Sequence, residues 1–576
     1  MEKPREQETQ HALLVVLGKF AQEMGLIAGI ESVKLGQKSY DHTPQAKVLE
    51  FLVAILSGAK YLQDISLAAH PLDKDVAVAQ AWGQRSWADY SGVSRTLSKL
   101  SWVEARMIVA VLERVGAPYI ESELKLIQQL GQMIEQDGDL TGIPVSNTSR
   151  TYPNAAYGHM DDEIRLGYQA GVTSLRSPTY GRLWLSVEHH AGDTVSCTQA
   201  EALVLAAEKR TGLHPRRRTE LLQERITAFQ KERQPTEKRL ESQKTGLEKA
   251  LSAQSETLTQ LQEARLTPET KPERIQSLER RSLRREQAVA AAQKRLEKTL
   301  RLLQTHSEQE KVLQDRLQRF EQENTGNLAP SEIRFRIDAG FGTYDNIALL
   351  IEMGYELYTK LHNHKVVQVL QKKVQPETTW TQVGKNAEMV AWPALKLDHC
   401  PYPLSVGLER FHTGDKKLKH SALAYFGNAP VTENLPAWFG EYNGRQTIEA
   451  GIKETKQVFY LHRLKVRSEP AIYVQEAMTI FAANFIRWST VWIKQRAKPG
   501  NDQLQIEKMG VKRQVQVLAH TSAKVIQNSE GMLLRFSPAS CLAGKSLQFR
   551  PLERPVYPNY FLPLFTFLTM IAQRLR

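Results

Sequence analysis

Glu332 to Phe341 reads EIRFRIDAGF. Ile333, Phe335 and Ile337 alternate with Arg334, Arg336 and Asp338, the two-residue period of a half-buried strand. The polar face ends on Asp338 and Gly340 follows, so the pattern predicts a strand that delivers a carboxylate at its end, beside a turn. A carboxylate placed in this way suits a metal ion. An Asp that merely opens a turn gives the same pattern.

Two further stretches bear on that choice. Gln132 to Val145, QMIEQDGDLTGIPV, reads as a second strand on which Asp137 and Asp139 are two apart and share a face. Tyr442 to Lys456, YNGRQTIEAGIKETK, spaces Tyr442, Arg445, Glu449 and Lys456 by steps of three, four and seven. Those steps predict one face of a single helix, with a lone carboxylate between two cations and a phenol. Carboxylates can hold divalent metal, and Arg and Lys can hold phosphate. A solvated face with an ion pair is the plainer reading of that helix alone.

Together these residues resemble the bacterial insertion-sequence transposases of the DDE class, in the subgroup with a Tyr-Arg-Glu-Lys signature. The signature spacing matches at all four positions. Asp338-Ala-Gly-Phe is similar to that family's second catalytic motif, and Asp139-Leu140-Thr141 to the Asp-x-Thr form of the first. The resemblance covers roughly residues 10 to 540. It implies an α/β fold with an RNase H-like catalytic core. It also implies Asp139, Asp338 and Glu449 as the catalytic, metal-holding acids, with Asp137 as the alternative to Asp139. The expected cofactor is a pair of Mg²⁺ ions, for which Mn²⁺ can substitute. Tyr442, Arg445 and Lys456 are expected to hold phosphates of the element's end. The implied reaction is cleavage of the terminal inverted repeats and joining of their 3′-OH ends to target DNA, by a cut-and-paste route. The implied assembly is a homodimer on double-stranded DNA. A catalytically inactive, transposase-derived DNA-binding protein and a stand-alone RNase H-like nuclease are the competing readings.

Composition agrees with a nucleic-acid partner. The 576 residues carry 76 Lys and Arg against 63 Asp and Glu, a net charge of +13. The three cysteines, Cys197, Cys400 and Cys541, have no metal-ligand spacing and suit a reducing cytoplasm, where a nucleoid-associated protein is expected. The N-terminus, MEKPREQETQ, is too polar for a signal peptide, and no membrane partner is expected. Tyr560 to Ala572 is apolar but short and holds Pro563, so it reads as a packed tail.

Seven regions follow. Residues 1–125 read as a helical DNA-binding domain, with Thr43-Pro44 starting one helix and Tyr90 to Leu100 forming another. Arg95 and Lys99 share a face of the latter, which is a candidate for major-groove contact. Residues 126–214 hold the first part of the core. Strands are expected at Ile164 to Ala170 and Arg182 to Glu188, and a helix capped by Thr198 and Glu201. Residues 215–327 carry apolar heptads on both sides of LTPETKP (Leu266 to Pro272), predicting a coiled-coil hairpin with arms on the order of 65 Å. In its first arm the heptads run through Leu240, Leu247 and Leu261, and through Leu251 and Leu258. Arg280, Arg281, Arg284 and Arg285 fall near its tip. Residues 328–360 complete the core strands. Residues 361–439 read as a β-rich insertion in which Trp380, Trp392 and Trp438 are candidates for stacking on an unpaired base. Residues 440–500 contain the signature helix and an apolar helix from Val474 to Ile493 that reads as core or interface, and 501–576 form a C-terminal region.

Overall fold

The computed structural model describes residues 5–549 apart from 149, 161, 162, 413–416, 499, 501, 502 and 530. The tail from Tyr560 to Ala572 lies outside the described residues. The chain is a mixed α/β protein.

Strand β1 (Arg5–Thr9) precedes the N-terminal helices α1 (Ala12–Glu23), α2 (Leu26–Glu31), α3 (Pro44–Leu56), α4 (Asp64–Leu67), α5 (Val76–Ala81), α6 (Tyr90–Ser98) and α7 (Trp102–Gln129). Local chemistry sets their starts. The Thr43 hydroxyl accepts from the Ala46 amide, with Pro44 in the first turn of α3. Asp89 caps α6, and Ser101 with Glu104 forms a reciprocal capping box on α7.

The next strands are β2 (Ile134–Pro144), β3 (Ala156–Met160), β4 (Glu163–Ser177) and β5 (Gly181–Ala191), followed by α8 (Ala200–Thr211). The expected cap at Thr198 does not form. The Thr198 hydroxyl donates to the Val195 carbonyl inside a 3₁₀ turn, and Glu201 pairs with Arg319. Two long helices follow, α9 (Thr219–Leu266) and α10 (Pro272–Gly326), antiparallel and joined across Thr267–Lys271. At 48 and 55 residues they run about 72 and 82 Å at 1.5 Å per residue. Leu240, Leu247 and Leu261 sit in the shared seam, but Leu251 and Leu258 are 43% and 42% exposed. Thr257 and Ala264 are buried there instead, one residue away from the expected register.

The base of this hairpin is built into the core. Glu352 has no exposed surface and accepts from Arg225 of α9, Arg316 of α10 and the Tyr402 hydroxyl. Buried Arg217, just before α9, binds Glu208 and Glu323. Leu222 and Phe320 are fully buried beside them.

Strand β6 (Ile333–Arg336), helix α11 (Tyr344–Glu352), strand β7 (Glu356–Lys360) and helix α12 (His364–Lys373) come next. Then follow β8 (Thr381–Gly384), β9 (Ala387–Leu395), β10 (Leu404–His412) and β11 (Leu418–Phe426). The main sheet runs β4-β2-β6-β7-β11-β10-β9-β8, with β5 and β3 also on β4. β6 is parallel to β2 and to β7, while β2, β4 and β5 are antiparallel neighbours. The expected half-buried strand at Ile333–Ile337 is therefore a central strand covered on both faces, and Arg336 has no exposed surface. β5 is likewise covered on both faces, with Trp184 and Arg182 buried. The β-rich insertion contains α12 as well, and its strands extend the core sheet through β7–β11 pairing.

The signature segment is two helices, α13 (Leu435–Asn443) and α14 (Gln446–Val458). Gly444 and Arg445 keep right-handed helical backbone angles, but the hydrogen bonds tighten to three-residue spacing there. The last described elements are α15 (Glu469–Arg496), α16 (Val511–Gln516) and strands β12 (Ala523–Asn528), β13 (Gly531–Phe536) and β14 (Ser546–Phe549). A second sheet, β1-β12-β13-β14, ties the first described residues to the last. α15 is core: Phe481, Phe485 and Trp488 are buried, and Trp488 stacks on Tyr119 of α7 at 4.7 Å. Among the described residues no helix is long and apolar enough to cross a membrane.

Candidate active site

Parallel pairing sets the site. β2 and β6 are in register from Ile134 opposite Ile333 to Asp137 opposite Arg336. The same offset, carried two residues further, puts Asp139 level with Asp338. Glu449 comes from the first turn of α14, which packs on β2. Three acids from distant parts of the chain thus meet beyond the end of β6.

Their environments differ. One Asp139 carboxylate oxygen accepts from the Leu140 amide (2.8 Å), and the other from Arg445 Nη1 (3.2 Å). Burial pushes the Asp139 carboxyl up to about 7, against the pull of Arg445 and with the push of Asp338 and Glu449. Asp338 Oδ1 accepts from the Gly340 amide (2.9 Å), and its carbonyl accepts from the Thr359 hydroxyl (3.2 Å). Glu449 is exposed and is bound by Arg445 Nη2.

Asp137 is a different case. It is fully buried and bound by Arg336 through Nε (2.6 Å) and Nη2 (3.1 Å). Arg336 also lies 3.1 Å from Glu135 and donates to the Glu441 carbonyl. Arg334 beside it binds Glu135, Glu356 and Glu441. This ionic network joins β2, β6, β7 and α13 beneath the acids. Sequence reasoning missed it, although Arg334-x-Arg336 against Glu135-x-Asp137 was a readable signal once parallel pairing was assumed.

Arg445 is buried and central, whereas Tyr442 and Lys456 are not placed alike. Tyr442 is 5% exposed, lies close enough to Arg445 to feel its charge, and sits under Lys360 Nζ at 5.7 Å from the ring centre. Burial pushes its hydroxyl up to about 12. Lys456 is in the last turn of α14, seven residues on from Glu449 and hence about 10 Å along the axis. Arg95 and Lys99 are exposed on and just after α6, which packs on α3 and α4 rather than at the acids. Of the three tryptophans, Trp438 is 1% exposed and cannot meet a base. Trp380 is half-buried with the Arg410 guanidinium 4.0 Å over its ring, and Trp392 is half-buried on β9.

Arg182 of β5 fixes α14 from below. It binds the Thr447 carbonyl, lies 3.7 Å from Glu454 and stacks on Trp184. A Cβ at Gly451 would meet its guanidinium at 2.3 Å, and one at Gly444 would meet Arg336 at 2.5 Å. Gly444 and Gly451 are therefore places of close approach. A mid-helix Gly at 451 was the signal that could have shown this.

Among the described residues no three His, Cys, Asp or Glu side chains are set to grip one ion. The physical reason is on view: the Arg445 guanidinium stands between Asp139 and Glu449. The donor set itself, carboxylate oxygens at the edge of a sheet with ionisation of one acid penalised, suits a hard divalent cation. Beyond Asp338 a cleft opens, lined by Thr343, Asp345, His362, Asn363, His364 and His399. No protein-family model matches the chain, and no curated protein matches it.

Proposed function

We propose that this chain is a DNA transposase of the DDE class that cleaves the ends of an insertion sequence and joins them to target DNA. The observation that carries the reading is the meeting of Asp139, Asp338 and Glu449 around Arg445, from three separate elements. The sheet supports it: three antiparallel strands, β5-β4-β2, followed by β6 and β7 parallel to β2, is the strand order of an RNase H-like core. The buried 3–4 repeat along α9 and α10 supports reading the hairpin as a coiled coil inserted in that core.

Asp139, Asp338 and Glu449 would hold two Mg²⁺ ions. When bound, these supply activation of an oxygen nucleophile and neutralisation of charge on the leaving 3′ oxygen. The chain's own residues do the rest. Arg445, oriented by Tyr442, offers its fork to a phosphate at the cut. Lys456 meets the backbone farther along the strand, positioning it without reading sequence. A net charge of +13 favours double-stranded DNA as the partner, with the synaptic assembly read as a homodimer.

The test is incubation of the full chain with Mg²⁺ and end-labelled duplexes from both borders of its own element, plus a supercoiled target. Cleavage and 3′-end joining, both lost in Asp338→Asn, are expected. Cleavage without joining would make it a nuclease. DNA binding with neither step would make it an inactive relative.

A further inference from the structure

Arg445 occupies the space the acids share. Its Nη1 is 3.2 Å from Asp139 and its Nη2 bonds Glu449, while the charge of Asp338 also acts on it. The Tyr442 ring is buried close by. A guanidinium fork fits a carboxylate and a phosphate equally well. A divalent cation needs the same carboxylate oxygens, so cation and guanidinium compete for them. The two arms of the contact are unequal. Asp139 is nearly buried, whereas Glu449 is exposed, so the Glu449 arm opens at little cost.

Resting on the reading of the site given above, we infer that Arg445 is a latch. It holds the carboxylates closed to divalent metal until a DNA phosphate draws the guanidinium away. Metal and DNA then bind with positive coupling, and the coupling is reciprocal. A protein without DNA keeps its acids paired with their own cation, and metal enters where a phosphodiester is already in place.

The experiment measures binding rather than turnover. Free Mn²⁺ is followed by electron paramagnetic resonance over a titration of the full chain, with and without a short random-sequence duplex, corrected for the duplex alone. Wild type should bind Mn²⁺ weakly by itself and at least about tenfold more tightly with duplex, a coupling of ~1.4 kcal/mol. Arg445→Gln should bind Mn²⁺ without DNA at least about tenfold more tightly than wild type, and should no longer respond to duplex. Arg445→Lys keeps the charge and loses the fork, so it should fall between the two. Melting curves with Mn²⁺ check that the variants fold, and the Lys variant carries the test if the Gln variant does not. Equal Mn²⁺ affinity in wild type with and without duplex, or a folded Arg445 variant no tighter than wild type, overturns the latch. Adding Glu449→Gln or Asp338→Asn to Arg445→Gln should abolish the gain. Persistent tight Mn²⁺ binding there would place the ion elsewhere and overturn the reading of the site itself.

Discussion

Asp137 lies opposite Arg336 on the neighbouring parallel strand, joined to it by hydrogen bonds of 2.6 and 3.1 Å with both side chains out of water. Just past the end of β6, Asp338 repels Asp139 of β2. The inner pair is structural, and the proposed function gives the outer pair the chemistry. Removing one partner of a buried ion pair strands the other, at about 3–5 kcal/mol. Asp137→Asn should therefore lower stability by roughly that amount in urea unfolding. Asp139→Asn should cost less, because Arg445 keeps Glu449 as a partner and the repulsion from Asp338 is relieved. The opposite order would assign the two aspartates the wrong way round.

Asp338→Asn and Glu449→Gln should each cut the rate of DNA cleavage at least ~100-fold, about 2.7 kcal/mol of barrier. Binding of element-end duplex in a gel-shift titration should change little, because phosphate contacts spread over the surface dominate affinity. Cleavage by either variant at the wild-type rate in Mg²⁺ would remove the acid from the site.

A Gly→Ala change inside a helix ordinarily gains roughly 0.5–1 kcal/mol. Gly246 in α9 has nothing within 4 Å of its added Cβ, and Gly246→Ala should show that gain as a raised melting point. Gly451→Ala should go the other way. Its Cβ would meet Arg182, which cannot swing aside because Thr447, Glu454 and Trp184 hold it. A loss of about 1–3 kcal/mol is expected, with activity falling further as α14 shifts Glu449. Equal effects at the two glycines would mean that Arg182 does not fix α14.

Much of the α/β pattern could be read from residue order, because it rests on local periods. The strand through Asp137 and Asp139, the helix opened by Thr43-Pro44 and the break at Leu266–Pro272 all have short-range causes. The errors have long-range causes. Arg334 and Arg336 looked like a solvent face because acid partners of both, Glu135 and Asp137, lie 199 residues away on β2. Trp438 looked like a stacking platform because nothing local shows that β10 covers it at Gly407. Leu251 and Leu258 fit a heptad as well as Thr257 and Ala264 do. Only the partner helix chooses between the two registers. The Arg445 contact with Glu449 was visible as a four-residue step, but its contact with Asp139, 306 residues away, was not.

The hairpin gives a graded prediction. Replacing residues 216–327 with a Gly/Ser linker removes Arg217, Leu222, Arg225, Arg316 and Phe320, and leaves Glu352 buried without its two arginines. That variant should not fold cooperatively. Replacing only 236–305 keeps the base, where Arg233 of α9 already binds Glu310 of α10 at 2.7 Å. That variant should keep a wild-type melting transition and Mn²⁺ binding, and should lose paired-end assembly in gel filtration with DNA. Full assembly by the shortened protein would show that the arm is dispensable.

Lys465 supplies a pH test of the fold independent of the acids. It is buried in the turn between α14 and α15, with Nζ 3.4 Å from the Phe459 carbonyl. Burial pulls its pKa down to about 7 from 10.5, with Asp64 opposing weakly and Arg463 adding to the fall. Between those values the unfolded chain holds a proton that the folded chain has released. Stability therefore rises with pH across the window from about 7 to 10.5, and the cost of burying the charge is largest below it. Lys465→Met removes the titration and keeps most of the volume. Its advantage over wild type should be a few kcal/mol near pH 6–7, where the charge is buried in full. The gap should narrow steadily towards pH 10. Urea midpoints measured at several pH values check this. A gap that stays constant with pH would show that Lys465 keeps its proton in the folded chain, through contacts stronger than its burial.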